Sequence, residues 1–122
     1  MILWKRRKFN YPQIEFNGEK YYLVRPSDIH NLDDVKVKFE GVIQGKPEIE
    51  YYAAGWPWSI SSRIIEKDHG HLTTLNVSGV KVYFKGIAIF KVGEKVTVYG
   101  KVENGEVKAN VIEGENTIFK ST

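Results

Sequence analysis

The sequence contains no cysteine, so it can form neither a disulfide bond nor a thiolate metal site. Methionine occurs once and glutamine twice, whereas Lys, Glu, Val and Ile are frequent, which fits a heat-adapted source. No stretch approaches the ~20 apolar residues of a transmembrane helix, and residues 1–4 are too short for the apolar core of a secretory signal. We therefore expect a cytoplasmic protein with one core within its 122 residues.

Net charge is small and unevenly distributed. The chain has 18 basic and 15 acidic residues, for a formal net charge of +3. The basic arm Lys5, Arg6, Arg7 and Lys8 contributes four of the positive charges, so the rest of the chain has a net charge of −1. The composition therefore argues against a wholly basic nucleic-acid-binding surface. The arm itself has three interpretations: a disordered start, a nucleic-acid contact, or the end of a membrane segment if upstream sequence is missing.

The sequence also lacks the motifs of common catalytic sites. No glycine-rich loop precedes a helix, and Ser61 and Ser62 have no nucleophile-elbow context. Asp68, His69 and His71 form the one cluster with metal-ligand residue types, and we interpret it as a turn aspartate with two surface histidines. We predict a non-catalytic protein without a metal or cofactor.

The N-terminal region has the pattern of a β-hairpin. Gln13–Phe16 and Lys20–Val24 are β-prone and flank Asn17-Gly18, which is the strongest short hairpin signal because both turn positions need positive φ. Pro26–His30 then predicts one short helical turn, with Ser27 as its N-cap.

From Val35 onward, apolar and polar residues alternate in one segment after another, which predicts strands. Gly41 interrupts the first alternation, as expected for a bulge or a sharp bend. An extra strand over Glu48–Ala53 is a further option. The predicted strands cover 35–43, 59–67, 71–77, 80–85, 96–102 and 107–111, with turns at 68–70, 78–79 and 104–105.

These strands predict an all-β fold. A small Greek-key barrel of five to six strands is favoured over a sandwich, since a long first strand bent at a glycine can join both halves of a barrel. We divide the chain into an N-terminal extension (residues 1–34), the barrel (35–113) and a tail or edge strand (114–122).

The segment Val92–Ile112 carries a family resemblance. Its pattern of an apolar residue, glycine, alternating valines and a second glycine resembles the fourth strand of OB-fold domains of the single-strand-binding type. A weaker resemblance is to the soluble OB domains of NfeD-like and GIDE-type proteins. The resemblance covers residues 35–113 and implies that the middle strands and neighbouring loops carry a ligand.

The candidate nucleic-acid contacts follow from this resemblance and from parity. If Val80, Val82 and Phe84 face the core, then Tyr83 lies outside between two lysines, a pattern that suits base stacking with phosphate contacts. The alternative is a solvated strand face. The predicted contact residues are Lys81, Tyr83, Lys85, Tyr99, Lys101, Arg63, Trp56 and Trp58.

Dense aromatics mark residues 51–58, which contain Tyr51, Tyr52, Trp56 and Trp58. They predict either a stacking or protein-binding patch, or rings buried as a second small core against the N-terminal hairpin. Two functions therefore stay open. The first is a binding module for single-stranded DNA or RNA. The alternative is a protein-interaction or scaffold OB domain that self-associates through the aromatic loop or lies beside a membrane.

Overall fold

The structure is a computed structural model that describes residues 11–52 and 70–121. It is all-β, as predicted, with one 3-10 helix over Pro26–Asn31. The strands are β1 (Gln13–Phe16), β2 (Glu19–Leu23), β3 (Lys36–Val42), β4 (Glu48–Tyr52), β5 (Gly70–Val77), β6 (Val80–Lys85), β7 (Lys95–Glu103), β8 (Glu106–Glu113) and β9 (Ile118–Lys120). The extra strand and the C-terminal edge strand are thereby confirmed as β4 and β9. The strand predicted over 59–67 lies outside the described residues.

All nine strands belong to one sheet with the order β1-β2-β3-β7-β8-β6-β5-β4, and β9 pairs with β8. Neighbours are antiparallel except β2 with β3 and β6 with β8. Within the described ranges the sheet is not closed by a strand ladder, so the barrel of five to six strands is not confirmed. One isolated bridge, Ile43 to Val77, joins the ends of β3 and β5. Beside it, the Gln44 amide donates to the Asn76 carbonyl at 2.8 Å.

The core lies on one face of the sheet because apolar residues alternate with polar ones along each strand. Its largest fully buried side chains include Phe39, Phe84 and Ile112. Ile29 of the 3-10 helix and Phe90 of the segment after β6 complete it from outside the strands. This contiguous cluster is the main source of stability, since apolar burial contributes roughly 25 cal/mol per Å².

The predicted hairpin between β1 and β2 is confirmed. Asn17 and Gly18 both have positive φ, 54° and 80°, and Phe16 pairs with Glu19 across the turn. Asparagine tolerates this region and glycine has no Cβ to clash, so this dipeptide fits the two-residue turn whose twist matches that of the strands.

Gly41 allows a close approach of another segment to β3. It pairs with Val96 in an unbroken β3–β7 register, so of the two predicted roles the bulge is wrong and the sharp bend stays a prediction. A Cβ at this position would lie 2.7 Å from Val77 Cγ1 and 2.7 Å from Ser78 Oγ. The glycine therefore allows the β5–β6 turn to approach β3, where Ser78 Oγ accepts a 2.9 Å hydrogen bond from the Val42 amide. The register shift of the sheet lies instead in β7–β8, after Tyr99.

The 3-10 helix begins after Arg25, so the prediction of Ser27 as its N-cap is wrong. The Asp28 carboxylate accepts a 2.9 Å hydrogen bond from the Arg25 backbone amide and closes the first turn from inside. This hydrogen bond, aided by the Arg25 guanidinium, lowers the Asp28 pKa although burial opposes it. The turn places Ile29 in the main core.

Candidate nucleic-acid interface

The outer face of β6 follows the predicted parity only in part. Val80, Val82 and Phe84 are buried in the core, and Lys81 is exposed on the opposite side. Tyr83 shares that side but is only 8% exposed. Burial and the nearby Glu106 carboxylate raise the pKa of Tyr83 to about 12. The exposed ring that base stacking requires is therefore absent at Tyr83, because parity sets the face of a residue and not its accessibility.

Tyr99 lies on the outer face of β7 under the N-terminal hairpin. The Phe16 ring is stacked on it with centroids 4.1 Å apart and planes at 17°, and Tyr21 contacts it edge-on at 5.4 Å. The ring is 4% exposed, and Lys38 Nζ lies 5.5 Å from its centroid. Burial, reinforced by the Glu113 carboxylate, raises the Tyr99 pKa. Tyr99 is predicted from the sequence to be an accessible stacking residue. In the structure its ring is not accessible, because the hairpin covers it.

Lysines on the same half of the outer face are neutralised by carboxylates. Lys36, Lys101 and Lys108 are cross-strand neighbours on β3, β7 and β8. Like charges in such a row are destabilising unless they are compensated. The ion pairs are Lys36 with Glu19, Lys101 Nζ with Asp34 Oδ1 at 2.9 Å, and Lys108 Nζ with Glu103 Oε2 at 3.5 Å. The predicted contact Lys101 is therefore part of a compensated row.

A groove lies at the other half, between the segment after β3 and the outer face of β5 and β6. It has a volume of about 430 Å³, and Lys46 and Lys81 both line it. In the part of the chain that the structure describes, neither lysine has an ion-pair partner. The other polar lining residues are Gln44, Glu48, Thr74 and Asn76.

The groove combines two ammonium groups with amide groups, a hydroxyl group and the Glu48 carboxylate. Asn76 is the cross-strand partner of Lys81, and its Oδ1 accepts a 2.8 Å hydrogen bond from the Gly79 amide, which orients the amide group. Ammonium groups and side-chain amides are the usual partners of phosphate and sugar oxygens. Sequence reasoning missed Lys46, Gln44 and Asn76. The available signal was the place of Lys46 in a Gly-Lys-Pro turn that closely follows β3.

The strand β4 carries one accessible member of the predicted aromatic cluster. Tyr51 is 59% exposed and contacts His71 edge-on at 5.5 Å. Ile49 beside it is also exposed. Trp56, Trp58, Arg63, Asp68 and His69 lie outside the described residues, as does the basic arm Lys5–Lys8.

The segment after β6 exposes aliphatic side chains. Ile87 and Ile89 are exposed, with Ile89 at 63%, whereas Ala88 and Phe90 between and after them are buried. Val92 continues the exposed series. Their exposure could not be predicted from the sequence, because an apolar run hides which members face outward.

The predicted contacts are thus divided between two places on the outer face. Lys81 and Lys85 lie on β6, while Tyr99 and Lys101 lie on β7, with β8 between the two strands. Among the residues described, no group of three or more His, Asp or Glu side chains could hold a metal ion. Within residues 11–52 and 70–121, no helix has both the length and the apolar character needed to cross a membrane.

Comparison with known proteins adds no relative: no family model, no curated protein and no solved structure matches the chain.

Proposed function

We propose that the protein is a non-catalytic module that binds single-stranded DNA or RNA through the groove beside β5 and β6. The observation that supports this proposal is that Lys46 and Lys81 line one groove and form no ion pair among the described residues. Glu48 lines the same groove, so the net charge of the groove is positive by one. On the other half of the face, Lys36, Lys101 and Lys108 already have acidic partners. A polyanion gains most where ammonium groups are uncompensated, because it then displaces only counterions.

The strand order supports an OB-type arrangement for residues 35–113. The strands β3, β7, β8, β6 and β5 are successive neighbours, and the Ile43–Val77 bridge leads from β5 back to β3. This order fits a partly open Greek-key barrel in which β5 and β6 are the second and third strands. Those strands and the loop after the first strand form the usual oligonucleotide surface of OB folds, and the groove lies at that place.

Phosphate contacts carry more of the proposed affinity than base stacking does. Tyr83 is buried, so the described β6 face offers ammonium groups but no open ring. Binding should therefore be weak, and each phosphate-contacting lysine should contribute roughly 0.7 to the salt slope on a single strand. The basic arm Lys5–Lys8 would add to that slope, and Trp56, Trp58 and Arg63 remain proposed contacts.

Fluorescence anisotropy with 20–30-nucleotide single strands at low salt tests the proposal. The double variant Lys46→Glu/Lys81→Glu should lose at least about tenfold in affinity. The control Lys91→Glu/Lys120→Glu changes the net charge by the same amount at exposed lysines that do not line the groove. Equal losses in both double variants would show a general charge effect and contradict a site in the groove. No binding by the wild type at ~50 µM would contradict the function itself.

The exposed Ile87, Ile89 and Val92 favour a second candidate, self-association of the chain. Exposed aliphatic groups on neighbouring positions are common at protein interfaces. Light scattering of the wild type would then give a dimer mass that Ile87→Ser/Ile89→Ser returns to the monomer mass. A monomer in the wild type at 100 µM or so would exclude this candidate as a stable interface.

A further inference from the structure

The stack of Phe16 on Tyr99 has the geometry of a base on an aromatic platform. The two rings are nearly parallel at 17°, with centroids 4.1 Å apart. Lys38 Nζ lies 5.5 Å from the centroid of the Tyr99 ring. Lys101 is two residues after Tyr99 on β7 and lies on the same face of the sheet. An aromatic ring flanked by ammonium groups is the arrangement that binds single-stranded nucleic acid. Here a phenylalanine of the same chain occupies the place of the base.

Phe16 is attached less firmly than the strand it precedes. It is the last residue of β1, next to the turn, and it is only half-buried. Together with Ile14 it packs against a small cluster of Tyr21, Tyr99 and Val111 that is separate from the main core. In the described sheet β1 pairs with β2 alone. Phe16 can therefore leave Tyr99 at the cost of one small cluster.

The neighbouring strand is anchored independently of Phe16. β2 pairs in parallel with β3, and the Val24 amide donates a 3.0 Å hydrogen bond to the Lys38 carbonyl. Val24 itself belongs to the main core. Displacement of Phe16 therefore leaves β2, β3 and the core in place, so that local opening does not require unfolding.

We propose that Tyr99 is a base-stacking site separate from the groove, covered by Phe16 in the free protein and opened when a nucleobase of the bound strand replaces Phe16. The inference rests on the proposed function, since the strand is first held by phosphate contacts at the Lys46–Lys81 groove. The stack of a nucleobase on Tyr99 replaces the stack of Phe16 on Tyr99. The presence of Phe16 therefore lowers the affinity for a single strand without abolishing binding. Lys38 then lies where it can approach the phosphates next to the stacked base.

The test compares Phe16→Ala with Ile14→Ala in the same anisotropy titration. Both substitutions remove packing from the same small cluster, but only Phe16→Ala uncovers the Tyr99 ring. We expect Phe16→Ala to bind about tenfold more tightly than the wild type, and Ile14→Ala to change affinity less than twofold. The double variant Phe16→Ala/Tyr99→Leu should lose the gain, because leucine keeps an apolar contact but offers no ring. Photocrosslinking of a 5-bromouracil strand should label Tyr99 more strongly in Phe16→Ala than in the wild type.

The outcomes separate this inference from the function on which it rests. Equal affinity of wild type and Phe16→Ala, with both binding through the groove lysines, would overturn the inference and leave the function standing. Absence of binding by both proteins would overturn both. Binding by Phe16→Ala alone would also overturn both, because the wild-type groove would then fail to hold a strand that could displace Phe16. If Phe16→Ala fails to fold by circular dichroism, Phe16→Leu replaces it, since leucine keeps apolar packing without a stacking ring.

Discussion

The two halves of the outer face of the sheet use similar residues in opposite ways. On the β3–β7 half, the hairpin covers Tyr99 and carboxylates pair with Lys36 and Lys101. On the β5–β6 half, Lys81 and Lys46 line an open groove without such partners in the described residues. This difference between the two halves shows that alternating lysines and tyrosines on a strand do not define a binding face. What covers them from elsewhere in the chain decides whether a ligand can reach them.

Among these variants, loss of the Tyr99 ring on the β3–β7 half should lower the free energy of unfolding most. Tyr99→Ala should destabilise the protein by about 3 kcal/mol, because a buried ring with two aromatic partners is lost. Amide exchange should rise in β1 and the hairpin turn and stay unchanged in β4 and β5. Denaturant unfolding and hydrogen exchange measure the two effects. Uniform acceleration of exchange through the sheet would show that the hairpin and the groove half are not separable.

A smaller loss is expected at the junction of the two halves. Gly41→Ala places a Cβ against Val77 and Ser78, so we expect a loss of about 2 kcal/mol in unfolding free energy. Adding Ser78→Gly removes one of the clashing groups and should recover part of it, since Ser78 has a positive φ of 49° that glycine also adopts. A Gly41→Ala variant as stable as the wild type would contradict the close approach of the β5–β6 turn.

The next variant removes the Asp28 carboxylate, which holds the first turn of the 3-10 helix between β2 and β3. Asp28→Ala removes the acceptor of the Arg25 amide hydrogen bond and should cost about 1 kcal/mol at pH 7. The folded-state pKa of Asp28 is lowered, so its contribution is present above the unfolded pKa of about 4 and is lost as pH falls through the folded value. Chemical unfolding at pH 7 and pH 2.5 should therefore show a difference from the wild type that shrinks in acid. A constant difference would assign the effect to packing.

The smallest change in stability is expected when one lysine from each half is replaced in turn. Lys101→Met removes the ion pair with Asp34 and should cost about 0.5 kcal/mol, since exposed pairs contribute little. Lys81→Met removes no ion pair among the described residues and should cost nothing measurable. Thermal unfolding at 20 mM and 1 M salt checks this, because salt should abolish the Lys101 effect. Equal effects at the two positions would mean that the halves do not differ in charge compensation.

Much of the strand pattern could be predicted from local sequence. Asn17-Gly18 and Asn104-Gly105 have positive φ at both turn positions, and the alternation around Val80 and Val96 marks the core face. These signals are local because turn conformation and pleat parity depend on adjacent residues. Strand order and closure of the sheet lie beyond these signals, since both depend on pairing between distant strands.

The candidate site was less predictable for the same physical reason. Tyr99 is covered by Phe16, and Lys36 is paired with Glu19, which is 17 residues away in sequence. Such long-range contacts leave no periodic signal in either segment. Lys81 could be identified from its strand, but its groove partner Lys46 becomes visible only when the turn after β3 is placed beside β5 and β6.

Nucleic-acid binding through the groove is tested most directly by titrating the isotope-labelled protein with a single-stranded oligonucleotide. The backbone amide chemical shifts are followed during the titration. At the lowest oligonucleotide concentrations, we predict the largest shifts at residues 44–48 and 76–81, and we predict that Lys46→Glu/Lys81→Glu abolishes them. Shifts confined to residues 87–92, or no shifts at low salt, would contradict nucleic-acid binding through the groove.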